Sequence, residues 1–245
     1  MIRDTFIGIK SYIEYFPNIS KFGLWKYAFI PSLLGLAFFF LLGFTSIQLG
    51  DNIGEWMISW YKWDFGSSVI AKMSHWIGSL LIAVLGLLIA KYIVILIASP
   101  FMSPMSQKID EHILGAHDQK NTSGLMDTAK GLARGIRITF KNIFKELFFT
   151  LILLILGFII PVLAPFTTVF IFLIQSYYAG FGNMDYTLER YYGVKDARLF
   201  VKRNKRLALG NGKVVMLLLR LGTGFLIAPP LATNAVTPGV LKRIS

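Results

Sequence analysis

Apolar residues run along this chain in long unbroken blocks, with the polar residues gathered between the blocks rather than alternating within them. Residues 2–16 are the exception. There Ile2, Phe6, Ile9, Ile13 and Phe16 recur at helical spacing, Lys10 and Glu14 fall on other faces, and Pro17 follows. That pattern predicts a short amphipathic helix over residues 1–17, lying in a membrane interface rather than crossing it.

The first long block, residues 22–48, is long enough at about 1.5 Å per residue to span a hydrocarbon core of about 30 Å. Trp25 and Tyr27 stand at its start, where aromatic rings favour the head-group level. Residues 49–66 carry Asp51, Glu55 and Asp64 with Trp56, Trp60, Tyr61 and Trp63, which suits a loop in the opposite interface. A second spanning block covers residues 69–98 and is expected to end at Ser99-Pro100. Residues 100–145 are mixed and polar, with a loop at 117–123 and a basic amphipathic helix over 125–146 that carries Leu132, Ile136, Phe140 and Phe144 on one side.

Two further blocks are broken by proline. Residues 147–160 and 166–180 are divided by Pro161 and Pro165, and each half, about fifteen residues, falls short of the usual span of about twenty. Residues 214–228 and 231–240 are divided by Pro229-Pro230. Both pairs are expected to form hairpins, over 147–181 and 213–241, that dip into the bilayer and return, with the prolines at their tips. Such backbone is tolerated only where protein or a water-filled cavity covers it. The fold class expected is therefore all-α and integral to the membrane. It has two long transmembrane helices, two proline-broken half-inserted hairpins and amphipathic interfacial helices, in a single membrane domain over 1–245.

Composition sharpens this. Of 245 residues 55% are hydrophobic and 16% charged, against roughly a quarter charged in a soluble domain. The net charge of +12 is concentrated beside the apolar blocks, as in Arg190, Lys195, Arg198, Lys202, Arg203, Lys205 and Arg206. Positive-inside counting then puts the N-terminus, the 100–145 and 190–213 segments and the C-terminus in the cytoplasm. No nucleic-acid-binding motif accompanies the charge, so lipid head groups are its expected partner. Without cysteine, and with three histidines at no ligand spacing, no metal site or cofactor is expected. No paired buried carboxylates or serine–histidine arrangement appears, and an enzyme is not expected.

The charges left inside apolar blocks are the chemical candidates. Lys91 lies in the second block and Arg220 lies within residues 216–226. Each either faces an anion path or snorkels to the interface. Pro161, Pro165, Pro229 and Pro230 free backbone groups at depth, where broken helices of transporters aim their ends at ions. A turn required by a hairpin explains them as well. Gln107, Asp110 and Glu111 suit a pore mouth or a solvated helix face equally.

Three collinear features resemble the CysZ sulfate permeases of bacteria and their eukaryotic etoposide-induced relatives. Gly23-Leu24-Trp25-Lys26 followed by Pro31 is similar to the family's G-[IL]-R-R-x4-P at the start of its first membrane helix. Ala98-Ser99-Pro100-Phe101, with Asp110 and Gly115 behind it, resembles the A-x-P-F motif. The proline-broken pair, Asp185-Tyr186, a basic amphipathic helix and a second broken pair complete the likeness. The resemblance implies sulfate uptake by a multi-pass homo-oligomer in the bacterial cytoplasmic (inner) membrane, with a small inorganic anion as cargo. It marks Gly23, Trp25 and Lys26 for anion binding and Pro100, Phe101, Gln107, Asp110 and His112 for the pore mouth. Trp25 and Lys26 stand where the family carries two arginines, and lysine offers a point charge in place of a planar fork. A non-transporting membrane protein that organises lipids or partner proteins is the alternative reading.

Overall fold

The structure, a computed structural model, describes residues 2–59, 67–115, 125–221 and 224–244. Every regular element among them is helical: α1 (Ile2–Tyr15), α2 (Asn18–Lys21), α3 (Trp25–Ser59), α4 (Ser67–Leu114), α5 (Leu125–Ile159), α6 (Ala164–Leu188), α7 (Val194–Arg203), α8 (Lys205–Arg220) and α9 (Gly224–Ile244). A 3₁₀ turn, Pro161–Leu163, joins α5 to α6. Trp60, Tyr61 and Trp63 of the expected interfacial loop, the loop at 117–123 and the side chain of Lys91 lie outside the described residues.

The chain divides into two compact units, one of residues 33–94 and one of residues 1–32 with 95–245. In the first, α3 and α4 run antiparallel, with Gly50 on the backbone of Ser79 and Gly86 on the side chain of Leu42. The second holds the remaining elements.

Four expected boundaries move. The first block does not give way to a loop at residue 49: α3 continues unbroken to Ser59. The second block does not stop at Pro100: α4 continues through Pro100 and Pro104 to Leu114. Met102, Met105 and Ile109, all fully buried beyond Pro100, pack with Ile19 and Leu24, and that burial holds the helix together across the lost backbone bonds. The arms of the first hairpin are longer than fifteen residues. α5 carries the amphipathic segment straight into the apolar one, so Arg137–Ile159 and Pro161–Leu188, like Trp25–Gly50, are long and apolar enough to cross a membrane. Pro229 and Pro230 are not a tip but stand in the second turn of α9. The chain reverses instead after Leu221, between α8 and α9, and Gly224 lies so close to the Leu218 carbonyl that a β-carbon there would collide with it. Ala228 and Ala232, on either side of the two prolines, are buried against Val215, Met216 and Leu219, and this packing overrides the local breaker.

At the other hairpin the helix does break. Ile160, which precedes a proline, is extended (φ −123°, ψ 86°), Pro161 opens the 3₁₀ turn, and Pro165 sits in the first turn of α6, where a missing N–H costs nothing. The tip is oily: Phe158 and Val162 are 88% and 81% exposed.

α8 is held on two sides by its own main chain. Gly180 of α6 meets the backbone of Ala208, Gly212 meets the Ser176 carbonyl, and Gly8 of α1 meets the backbone of Gly210. α1 thereby turns its small residues inward and leaves Phe6, Ile9, Ile13 and Phe16 exposed. That is the surface a lipid-facing helix presents.

Candidate functional site

The end of α6 gathers a dense set of polar contacts among the described residues. Arg190 reaches α4, where its Nε donates to Asp110 Oδ2 at 3.0 Å and its Nη2 donates to Ser106 Oγ at 3.0 Å. Its Nη1 donates to the Tyr186 carbonyl at 2.8 Å, which fixes the guanidinium plane. The Tyr191 hydroxyl lies 2.8 and 2.7 Å from the two oxygens of Asp110. Ser106 continues the chain of hydroxyls to Thr187 at 2.8 Å and to Thr237 of α9 at 3.2 Å. Asp110 is 1% exposed, so its charge is taken out of water and held by two donors instead. Burial, and then that carboxylate, push the Tyr191 phenol up.

One turn away Glu189 accepts from Ser103 Oγ. Burial, as the largest cause, pushes its carboxyl up to about 7, opposed by the Ser103 bond and by Arg190 and Arg134 and aided by Asp185. Arg134 of α5 closes the group by donating through Nη1 to the carbonyls of Glu189 at 3.1 Å and Tyr192 at 2.5 Å. Its ion pair with Asp185 is open, at 3.7 Å, and Arg134 Nε, Nη2 and Asp185 Oδ1 make no hydrogen bond. A second polar spine runs inward. Asn183 Nδ2 donates to Asn211 Oδ1 at 2.8 Å, Asn211 Nδ2 donates to the Ala232 carbonyl at 2.9 Å, and the Tyr12 hydroxyl donates to the Asn211 carbonyl at 3.2 Å. This spine ties α1, α6, α8 and α9 together.

The turn ahead of α3 is built by the Gly23 backbone. Gly23 has φ +61°, its N–H reaches the Ser20 carbonyl at 3.2 Å, and the Leu24 N–H reaches the Ile19 carbonyl at 2.8 Å. This is a Schellman closure of α2, with Ile19 and Leu24 both buried as its apolar clasp. Lys108 of α4 comes to this turn: its Nζ would lie 3.6 Å from a β-carbon on Gly23. His112, one turn on, stacks on Phe22 with centroids 4.4 Å apart. Trp25 Nε1 donates to Ser20 Oγ at 3.1 Å, and Lys26 is exposed with its ammonium 5.0 Å from the Tyr27 ring.

The candidates thus separate. Gly23, Trp25 and Lys26 cluster beside the α4 segment that carries Phe101 and His112, and Phe101 packs on the core of Ile19, Leu24 and Met105. Asp110 turns inward to Arg190. Gln107 stays exposed and bonds only Glu111, at 3.0 Å. Arg220 is elsewhere, at the end of α8, with its guanidinium 4.9 Å from the Phe172 ring. Pro161 and Pro165 are exposed at the other hairpin tip, and Pro229 and Pro230 are buried inside α9. The residues that sequence reasoning did not single out are Ser103, Ser106, Arg134, Thr187, Glu189, Tyr191 and Thr237. No spacing in the sequence links them, since they come from α4, α5, the end of α6 and α9.

The sequence model of the family described as Sulfate transporter CysZ/Etoposide-induced protein 2.4 matches residues 12–230. No curated protein matches the chain.

Proposed function

Since the chain belongs to the sulfate transporter CysZ/etoposide-induced protein 2.4 family, a family of membrane proteins, we propose that it moves a small oxyanion, sulfate or one like it, through the bacterial cytoplasmic membrane. The observation that carries this reading is Arg220. Lys145 on α5 and Tyr177-Tyr178 on α6 are the last interface-type residues before a run, 147 to 174, without a single charge. At about 1.5 Å per residue the apolar tip lies roughly 20 Å beyond them, short of a full hydrocarbon core of about 30 Å. Phe172 is about 12 Å back from Ala164 along α6, so Arg220 sits inside the oily zone.

An arginine within the hydrocarbon costs up to about 3 kcal/mol on insertion scales, the full figure applying at the centre. The Phe172 face returns about 2 kcal/mol and the α8 C-terminus up to about 1 kcal/mol. No carboxylate among the described residues is needed to hold it, so its donors are available to an anion. Lys26 and Lys108 at the Gly23 turn serve as the cytoplasmic docking point, and Asp110–Arg190 fixes α4 against α6 between the two. The protein works as a homo-oligomer with its N-terminus in the cytoplasm, and the second hairpin is half-inserted.

The test is radiolabelled sulfate uptake into liposomes carrying the purified protein. Uptake above protein-free vesicles is expected, abolished by Arg220→Met and partly kept by Arg220→Lys. Uptake no greater than in empty vesicles, or unchanged in Arg220→Met, would overturn the reading. The exposed apolar face of α1 favours a second reading, a wedge that shapes lipid. Vesicle deformation without flux is its signature.

A further inference from the structure

A small pocket of ≈ 40 Å³, open at its mouth, lies between α5 and α6. Thr139, Asn142, Ile143 and Glu146 of α5 line one wall, and Tyr178, Ala179, Gly182, Asn183 and Tyr186 of α6 line the other. Ile95, Val215 and Pro229 close its back. Its mostly apolar walls with a few polar groups suit an uncharged polar part of an organic molecule. We propose that it takes an ester carbonyl of a membrane glycerolipid, the rest of the lipid lying outside it, a site separate from any anion route.

Three observations carry this. The first is chemical. Asn142 is 8% exposed, and its Nδ2 is buried in the wall with no hydrogen-bond partner. A buried donor left empty is destabilising unless an acceptor arrives, and an ester carbonyl is an acceptor that brings no charge. The second is electrostatic. The charged side chain in the lining is Glu146, an acid that already has an interaction of its own. With a buried carboxylate and no lysine or arginine in the wall, the cavity rejects sulfate and the phosphate of a lipid alike. A lipid can therefore enter only by its uncharged part, its phosphate remaining outside.

The third observation is depth. The cavity begins level with Lys145 and Tyr178 and extends away from the apolar tip, over Thr139–Glu146 on one helix and Tyr178–Tyr186 on the other. That is the band where acyl chains give way to ester carbonyls and glycerol. The outer side of α5 at this level, Phe140 and Phe144, is 57% and 73% exposed, so lipid already lies against the helix that forms the wall. Water alone in the pocket would leave both segments unlabelled in the experiment below.

Gly182 supplies the test. Nothing lies within 4 Å of where its β-carbon would sit, so a side chain there grows into the cavity and not into a neighbour. Gly182→Leu plugs the site, while Gly182→Ala is too small to fill it, and both favour the helix over glycine. The full-length protein would be reconstituted in vesicles containing phosphatidylglycerol with a photoactivatable diazirine on the acyl chain next to the ester. After illumination the labelled peptides are mapped by mass spectrometry. Labelling of the 139–146 and 178–186 segments is expected in the native protein and in Gly182→Ala. It should be lost in Gly182→Leu and reduced roughly tenfold in Asn142→Leu, the loss that one unmade hydrogen bond brings. Labelling that persists in Gly182→Leu, labelling displaced by inorganic sulfate, or the absence of label from both segments in the native protein would each overturn the proposal. None of these outcomes depends on whether Arg220 conducts an anion, so failure of the transport reading leaves this one standing.

Discussion

Glu189 makes the stability of this protein depend on pH in a direction opposite to that of most carboxylates. Its carboxyl is pushed from an ordinary value of 4.5 up to about 7, chiefly by burial. In the unfolded chain it loses its proton near the ordinary value. Between the two values the folded state therefore binds more protons than the unfolded one, and stability must fall as pH rises. The stability is fully present below about pH 4.5 and is lost by the time pH has passed about 7. The difference is about 2.5 pH units, or about 3 kcal/mol at 1.36 kcal/mol per unit. For a chain of this length roughly 2–4 °C accompanies each kcal/mol, which puts the expected fall in Tm near 6–12 °C.

The assay is thermal unfolding of the detergent-solubilised protein, followed by tryptophan fluorescence from pH 5 to pH 8. The native protein should lose Tm steadily over that range. Glu189→Gln keeps an acceptor for Ser103 and removes the titration, so its Tm should be flatter and should exceed the native value at pH 8. A native Tm that is level or rising between pH 5 and pH 7, or a variant with the native slope, would refute the assignment of the effect to Glu189.

Two further outcomes follow from the packing. Arg190→Met strands the buried Asp110 carboxylate and should cost about 3–5 kcal/mol in denaturant unfolding, and Arg190→Lys should recover little of it, because one ammonium cannot serve Asp110, Ser106 and the Tyr186 carbonyl in the same plane. Gly212→Ala drives a methyl into the Ser176 carbonyl and should cost at least about 2 kcal/mol by the same measurement, whereas Gly182→Ala, one helix away with open space before it, should leave Tm unchanged or higher.

The helical, lipid-facing character of the chain could be read from its oily blocks, because lipid selects for length and composition that need no tertiary information. Proline was the point at which sequence stopped being sufficient. At Pro161 and Pro165 the chain breaks, since the surrounding residues are exposed and nothing holds a helix across the gap. At Pro100 and at Pro229-Pro230 the same residue sits inside a helix, because Ala98 before and Met102, Met105 and Ile109 after it in one case, and Ala228 and Ala232 in the other, are buried on both sides. Only the fold supplies those neighbours. The site divides in the same way. Asp110 stood out as an acid beside a likeness to a known motif, yet its partner Arg190 lies eighty positions on and looked like one more base in a basic segment. The Gly23 turn was visible, but Lys108, which comes to it from α4, was not. Ser106, Thr187 and Thr237 are small hydroxyls of a kind that sequence scatters everywhere, and they acquire meaning only when three helices bring them within hydrogen-bond reach.

The main-chain contacts on both flanks of α8 limit how this protein can move. Side chains between helices act as compliant spacers, able to change rotamer and let one rod slide past another. Where glycine sets backbone on backbone, that compliance is gone, and α1, α6 and α8 are geared together. Any rearrangement of these helices must therefore carry this trio as one rigid piece, and the yielding joints have to be sought elsewhere in the chain.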